Sequence, residues 1–176
     1  MNENKAVAAL SELMALEMGI CPATARQIRT AAALHDVGKQ KIPESILNKP
    51  GKLNAHEFEI MKTHTKLGAE TLISIQGTLG EMVRAAAYLH HEWHDPSFGG
   101  YWGISTSYLP GYISIISICD VFTALMAKRC YKEPWPPEKA IAYIQQKAGT
   151  QFSNELVGVF IPLIRNDNRV PAIFYP

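Results

Sequence analysis

The sequence predicts an all-α fold organised as one domain, and three observations carry that prediction. Apolar residues recur at three- and four-residue spacing in nearly every segment of the 176-residue chain. Gly, Pro and Asn stand where helices need to stop or start. No run alternates apolar and polar residues cleanly, apart from an ambiguous stretch beginning at Ile113. The apolar fraction of 47% with a net charge of +1 excludes intrinsic disorder. It also argues against a duplex nucleic acid partner, because no basic excess exists to neutralise phosphates.

The elements follow in order. Val7, Leu10, Leu13, Met14 and Leu16 to Met18 mark a first helix that Gly19 ends. Pro22 precedes a second, from about Ala23, whose apolar positions Ile28, Ala32 and Leu34 lead into His35-Asp36. Gly38 and Pro43 break the pattern, one more turn fits Pro43 to Leu47, and Lys49-Pro50-Gly51 is a turn. Asn54 with Glu57 three positions on reads as a capping box. It opens a helix with inner face Phe58, Met61, His64 and Gly68, flanked by Leu67 and Leu72. Gly77 to Gly80 reads as a break. Met82, Val83, Ala86, Tyr88 and Leu89 then form a helix ending at His90-His91. His94 to Pro110 is a long loop rich in Gly and aromatics, and long loops in small domains tend to be functional. From Ile113, a strand and a helix compete, but Ile115, Ile118, Phe122 and Leu125 keep helical spacing. Pro134, Pro136 and Pro137 stiffen a loop. Helices follow over Glu138 to Ala148, ended by Gly149, and over Asn154 to Ile164, disturbed by Pro162.

Cys21, Cys119 and Cys130 form no close pair, so neither a zinc knuckle nor a disulfide framework is expected. A reducing, cytoplasmic setting fits. The longest apolar run, Tyr112 to Cys119, is far short of the roughly 20 residues a membrane span needs. The polar start of the chain has no signal-peptide core.

The chemistry lies in the imidazoles and a few carboxylates. His35-Asp36 ends one helix, His64 lies on the apolar face of the next, His90-His91 ends a third, and Asp120 sits inside a fourth. His64 follows Asp36 by 28 residues, His90 follows His64 by 26, and Asp120 follows His91 by 29. Each set is one helix and one connection from the next, so a bundle can converge them on one point. Taken singly, each is ordinary: a His-Asp dipeptide as a cap, His64 as a bonded core residue. Asp120 is the exception, since a carboxylate amid Ile118, Cys119, Val121 and Phe122 is costly unless paired or metal-bound. Adjacent helical side chains diverge by about 100°. Two adjacent pairs therefore favour two metal ions, and a carboxylate can bridge them. His and Asp without Cys suit iron or manganese, with zinc possible. Two metals about 3.5–4 Å apart clamp a phosphate for in-line displacement, which points to phosphoester hydrolysis. Lys39 shares the face of His35 and Asp36 and would hold a phosphate oxygen. His56 is expected to be exposed, and His94 lies one turn beyond the pair.

These residues also carry a family resemblance. Ala33-Leu-His35-Asp36-Val-Gly38-Lys39 and Ile42-Pro43-Glu-Ser-Ile46-Leu47-Asn-Lys49-Pro50-Gly51-Lys-Leu53 closely resemble the HD-GYP branch of the HD phosphohydrolases. Met61-Lys-Thr-His64, His90-His91-Glu92, Cys119-Asp120-Val121-Phe122-Thr-Ala124-Leu125, Arg129-Cys-Tyr131-Lys132 and Gly149-Thr150-Gln-Phe152 continue it in order. The resemblance implies an HD-domain helical bundle with a metal centre in its core. It implies hydrolysis of cyclic di-GMP to pGpG or GMP, with His35, Asp36, His64, His90, His91 and Asp120 as metal ligands. Lys39 and Asp36 would act on the phosphate, and Lys39, Tyr101 and Arg129 would bind substrate.

The chain also departs from that pattern. Trp93 and Ser114 stand where the family carries Arg, Thr123 where it carries Asp, and Trp102 where the Gly-Tyr-Pro loop carries Pro. Lost guanidiniums remove bidentate phosphate contacts. A further family ligand falls by spacing at Glu3 or just outside this chain, which would then lack its first helix or an N-terminal regulatory domain. Two alternatives follow: a metal-bound module that binds cyclic di-GMP or a protein partner through the aromatic loop without turnover, or a hydrolase of another phosphoester.

Overall fold

The computed structural model describes residues 3–127 and 133–174. Among these residues no β-strand forms, and a single isolated bridge joins Ala148 and Phe152. Helix α1 (Glu3–Glu17) buries Val7, Leu10 and Met14 at the predicted spacing. It ends where Gly19 turns left-handed, at φ 78°, and Ile20 N–H reaches back to Ala15 O at 2.9 Å. Helix α2 (Pro22–Leu34) starts on Pro22 itself, one residue earlier than the pattern placed it.

A 3-10 turn over Val37–Lys41 and the short α3 (Glu44–Leu47) follow. The capping box forms as expected: Glu57 N–H donates to Asn54 Oδ1 at 2.9 Å, and Asn54 N–H donates to Glu57 Oε2 at 2.8 Å. The helix it opens is not continuous, however. It divides at Thr63 into α4 (Ala55–Lys62) and α5 (His64–Thr71). At the division Thr63 Oγ1 donates to Ile60 O at 2.6 Å, and Thr63 N–H donates to the same carbonyl at 3.0 Å. His64, Thr65 and Gly68 face inward, whereas Phe58, expected inside, is 44% exposed.

Helix α6 (Gly77–Leu89) begins at Gly77 and runs through Gly80, so the expected break is a helix start. Gly80 is tolerated because the Ile75 carbonyl occupies the space a side chain would need. Helix α7 (Gly111–Met126) settles the Ile113 ambiguity: it is buried nearly all round, which erases the amphipathic signature. Then come α8 (Pro137–Gln146), α9 (Asn154–Asn166), which absorbs Pro162, and an unanticipated α10 (Val170–Phe174). Helix α1 packs on α2 and α7, α2 on α6, α5 on α6 and on the 3-10 turn, and α9 and α10 close over α1. The ends of α2 and α6, the start of α5 and the middle of α7 thereby meet at one place.

Candidate metal centre

His35 caps α2 in helical geometry, and Asp36 then leaves the helix at φ −100°, ψ 9° to open the 3-10 turn. That change of conformation sends the two adjacent side chains to different parts of one polar pocket. The 3-10 turn lies against α5 at a crossing of two glycines. A Cβ on Gly38 would overlap the carbonyl oxygen of His64 and stand 2.5 Å from Gly68 N. The bare backbone brings Asp36 and Lys39 up to His64.

Three imidazoles are oriented alike. Nδ1 of His35 lies 2.6 Å from Ala32 O, that of His64 2.7 Å from Met61 O, and that of His90 2.9 Å from Ala86 O. A carbonyl only accepts, so Nδ1 carries the proton and Nε2 points to the centre. There His35 Nε2 lies 3.3 Å from Asp36 Oδ2 and 3.4 Å from Asp120 Oδ1. His64 Nε2 and His90 Nε2 lie 3.4 Å and 3.7 Å from Asp36 Oδ1. Ligand atoms of Asp36, His64, His90 and His91 all fall within 4.8 Å of one another, as do those of His35, His90 and Asp120.

The buried atoms His35 Nε2 and Asp36 Oδ1 have no hydrogen-bond partner. Orphaned donors and acceptors facing one another at 3–4 Å are costly without a shared partner. A divalent cation matches this donor set, and the residues present fit one.

The electrostatics agree. Burial opposes charge on His35, yet Asp36 and Asp120 outweigh it and hold the imidazolium up to about 10. Burial pushes His91 down to about 4. It pushes His64 down as well, and His90 well down with the help of neighbouring imidazoles. These three stay neutral and free to donate a lone pair. Despite burial, His35 and Lys39 hold Asp36 well below the usual carboxylate range, and His35 lowers Asp120.

A cleft of about 440 Å³ opens on this cluster, lined among others by Lys39, His64, His91, Tyr101 and Asp120. Lys39 Nζ lies 2.5 Å from Asp36 Oδ2, on the shared face that its spacing implied. Tyr101 packs against His91 at 4.3 Å between ring centroids. His56 is exposed. His94 meets Ser107 Oγ at 3.2 Å and lines a different concavity. Glu3 opens α1 and belongs to neither ligand group. Arg129 lies outside the described residues. Trp93 and Trp102 fold onto the chain itself: Trp102 stacks on Tyr88 at 5.8 Å with Lys66 4.2 Å over its ring, and Lys147 sits 5.5 Å over Trp93. Phe98 and Tyr108 stay exposed.

The residue that sequence reasoning passed over is Glu92. It is fully buried, and its carboxylate accepts three backbone N–H groups: Tyr101 at 3.1 Å, Trp102 at 2.9 Å and Ile104 at 2.9 Å. It thereby fastens the loop and holds Tyr101 over His91. In sequence it stood within the His90-His91-Glu92 motif with no role assigned, an acid directly after a buried helix and before a glycine-rich loop. Glu92→Gln turns one acceptor into a donor facing N–H groups. It is expected to cost about 2 kcal/mol, since hydrogen bonds to a charged group contribute about 1.5–3 each. Limited proteolysis within 94–110 checks this, and an unchanged cleavage rate counts against the anchoring role.

A helical bundle that gathers imidazoles and carboxylates from separate helices at its centre belongs to the class of α-helical metal-site domains. More particularly, the chain belongs to the HD domain family, whose profile matches residues 1–156. Over 150 residues it is 37% identical to the cyclic di-GMP phosphodiesterase response regulator RpfG of Xanthomonas campestris pv. campestris, covering 85% of this chain and 39% of that protein. Over 156 residues it is 39% identical to the 3'3'-cGAMP-specific phosphodiesterase 2 of Vibrio cholerae serotype O1, covering 88% and 30%. The chain thus spans about a third of the length of these curated relatives. Its fold matches the HD domain of the L. monocytogenes phosphodiesterase PgpH, solved in complex with cyclic-di-AMP. The TM-score is 0.69 at 21% identity, over 99% of this chain and 91% of that one.

Proposed function

We propose that this domain is a metal-dependent phosphodiesterase that acts on cyclic di-GMP, giving pGpG or GMP. The observation that carries the reading is the pair of ligand groups meeting through His90, at the mouth of a cleft that also presents Lys39. In this reading His35, Asp36, His64, His90, His91 and Asp120 hold two divalent ions, with iron first and manganese or zinc as alternatives. Bound divalent ions polarise a phosphoryl oxygen and supply a nucleophile at neutral pH. The chain's own residues do the rest. Asp36 faces His35 with one carboxylate oxygen and His64 and His90 with the other, so it suits a bridging role. Lys39, already beside Asp36, meets a phosphate oxygen and stabilises its developing charge. Tyr101 closes one side of the cleft, and Arg129 is carried as a further substrate contact.

The activities of the relatives support a cyclic dinucleotide as the substrate class, with cyclic di-GMP and cGAMP among them. Iron- or manganese-loaded protein is expected to convert cyclic di-GMP to a linear product, read by chromatography. No linear product at confirmed metal occupancy overturns the assignment. Trp93 and Ser114 at family Arg positions favour a second reading, a module that binds the cyclic dinucleotide without turnover. Saturable binding with no product would mark that case.

A further inference from the structure

The cleft is lined by two chemically different sets of side chains: the polar Lys39, His64, His91 and Asp120, and a second set that includes Leu47, Leu125 and Tyr143. Tyr143 comes from α8, outside every segment that supplies a ligand. Its ring is half-buried and fixed in place: Trp135 meets it edge-on at 5.9 Å and 76°, and Lys147 Nζ sits 5.5 Å over its face. Leu125 lies five residues beyond Asp120 on α7, roughly 7.5 Å of rise at 1.5 Å per residue. That span is of the order separating phosphorus from base in a nucleotide. An aromatic that is already immobilised loses little entropy when a flat ligand stacks on it.

Resting on the phosphodiesterase reading above, we propose that Tyr143 is a specificity-determining residue that stacks on a purine of the cyclic dinucleotide, with Leu47 and Leu125 walling the same base. The polar residues of the cleft then take the phosphate and Tyr143 takes the base, so its contribution is expected only with substrates that carry a flat ring.

The test uses the full metal-loaded chain and two probes: binding of cyclic di-GMP, and hydrolysis of a base-free diester that carries no aromatic ring, bis(2,2,2-trifluoroethyl) phosphate, followed by fluorine NMR. Tyr143→Ala is expected to weaken cyclic di-GMP binding by about 10- to 100-fold, the usual range for loss of one base–aromatic stack. Tyr143→Phe is expected to restore it to within about threefold, and base-free hydrolysis is expected to match the parent in both variants. Binding by the Ala variant within twofold of the parent overturns the proposal. So does an equal loss on the base-free diester, which would mark a merely structural role. A parent that cleaves the base-free diester but binds no cyclic dinucleotide overturns this inference and the cyclic di-GMP assignment, and leaves diester hydrolysis standing. A parent that does neither overturns the phosphodiesterase reading beneath it as well.

Discussion

Asp36→Asn is expected to leave the helical fold intact and to abolish both metal retention and diester hydrolysis. The carboxylate meets His35, His64 and His90 within 3.7 Å and pairs with Lys39, so its charge acts on several members of the cluster at once. A catalytic metal contributes several kcal/mol of transition-state stabilisation, so its loss lowers the rate by about 10³-fold or more. Metal analysis after gel filtration and circular dichroism read the two halves of the expectation. Full metal content in the variant would refute it.

The same charge balance fixes how metal uptake depends on pH. In the metal-free protein His35 is raised from its ordinary 6.5 to about 10. The stability it contributes is complete below about 6.5 and is lost as pH rises through about 10. A metal at Nε2 must displace that proton. Uptake near neutral pH is therefore expected to release a proton from His35, and metal affinity should climb with pH towards 10. Asp36→Asn removes one of the two carboxylates that hold the proton, so the His35 value should fall.

Gly38→Ala is expected to give the largest loss of stability of any single methyl added to the site. The new Cβ would overlap backbone atoms of His64 and Gly68, and backbone cannot rotate away as a side-chain tip can. Overpacking of this kind costs about 3 kcal/mol at the upper end of its usual range. For a chain of this size that is roughly a 10 °C fall in melting temperature. Metal affinity should fall with it, because the 3-10 turn that carries Asp36 and Lys39 must move off α5. Gly158→Ala is the control: it sits in α9 with nothing within 4 Å of the added carbon. It should be neutral or stabilising by up to about 1 kcal/mol. Equal melting temperatures for the two variants would reject the close-approach argument.

Much of this site was legible in the chain because its chemistry is local in sequence. His35-Asp36 and His90-His91 each end a helix, and Asp120 stands out because its apolar neighbours make an unpaired carboxylate expensive. The capping box at Asn54 was equally legible, being a three-residue interaction. What failed was phase over longer distance. Phe58 lies exposed on α4, and the division at Thr63 leaves no mark in the apolar pattern. Gly77 and Gly80 looked like a breaker pair. Whether a glycine ends a helix or permits a close approach depends on what lies opposite, here the Ile75 carbonyl. Glu92 and Tyr143 escaped for the same reason, since their partners sit on a loop and on cleft walls that only packing brings near.

By itself, then, the sequence determined the all-helical class, the order of the ligand-bearing segments and the kinds of atom they offer. Periodicity, capping and residue chemistry act over a few residues and are readable in one dimension. Only the tertiary structure decided that Asp36 turns its two oxygens to different imidazoles, that a buried carboxylate pins Tyr101 over His91, and that Tyr143 of α8 lines the cleft. Those facts depend on the relative placement of α2, α5, α6, α7 and α8. That placement comes from side-chain packing between segments far apart in the chain, which no local pattern encodes.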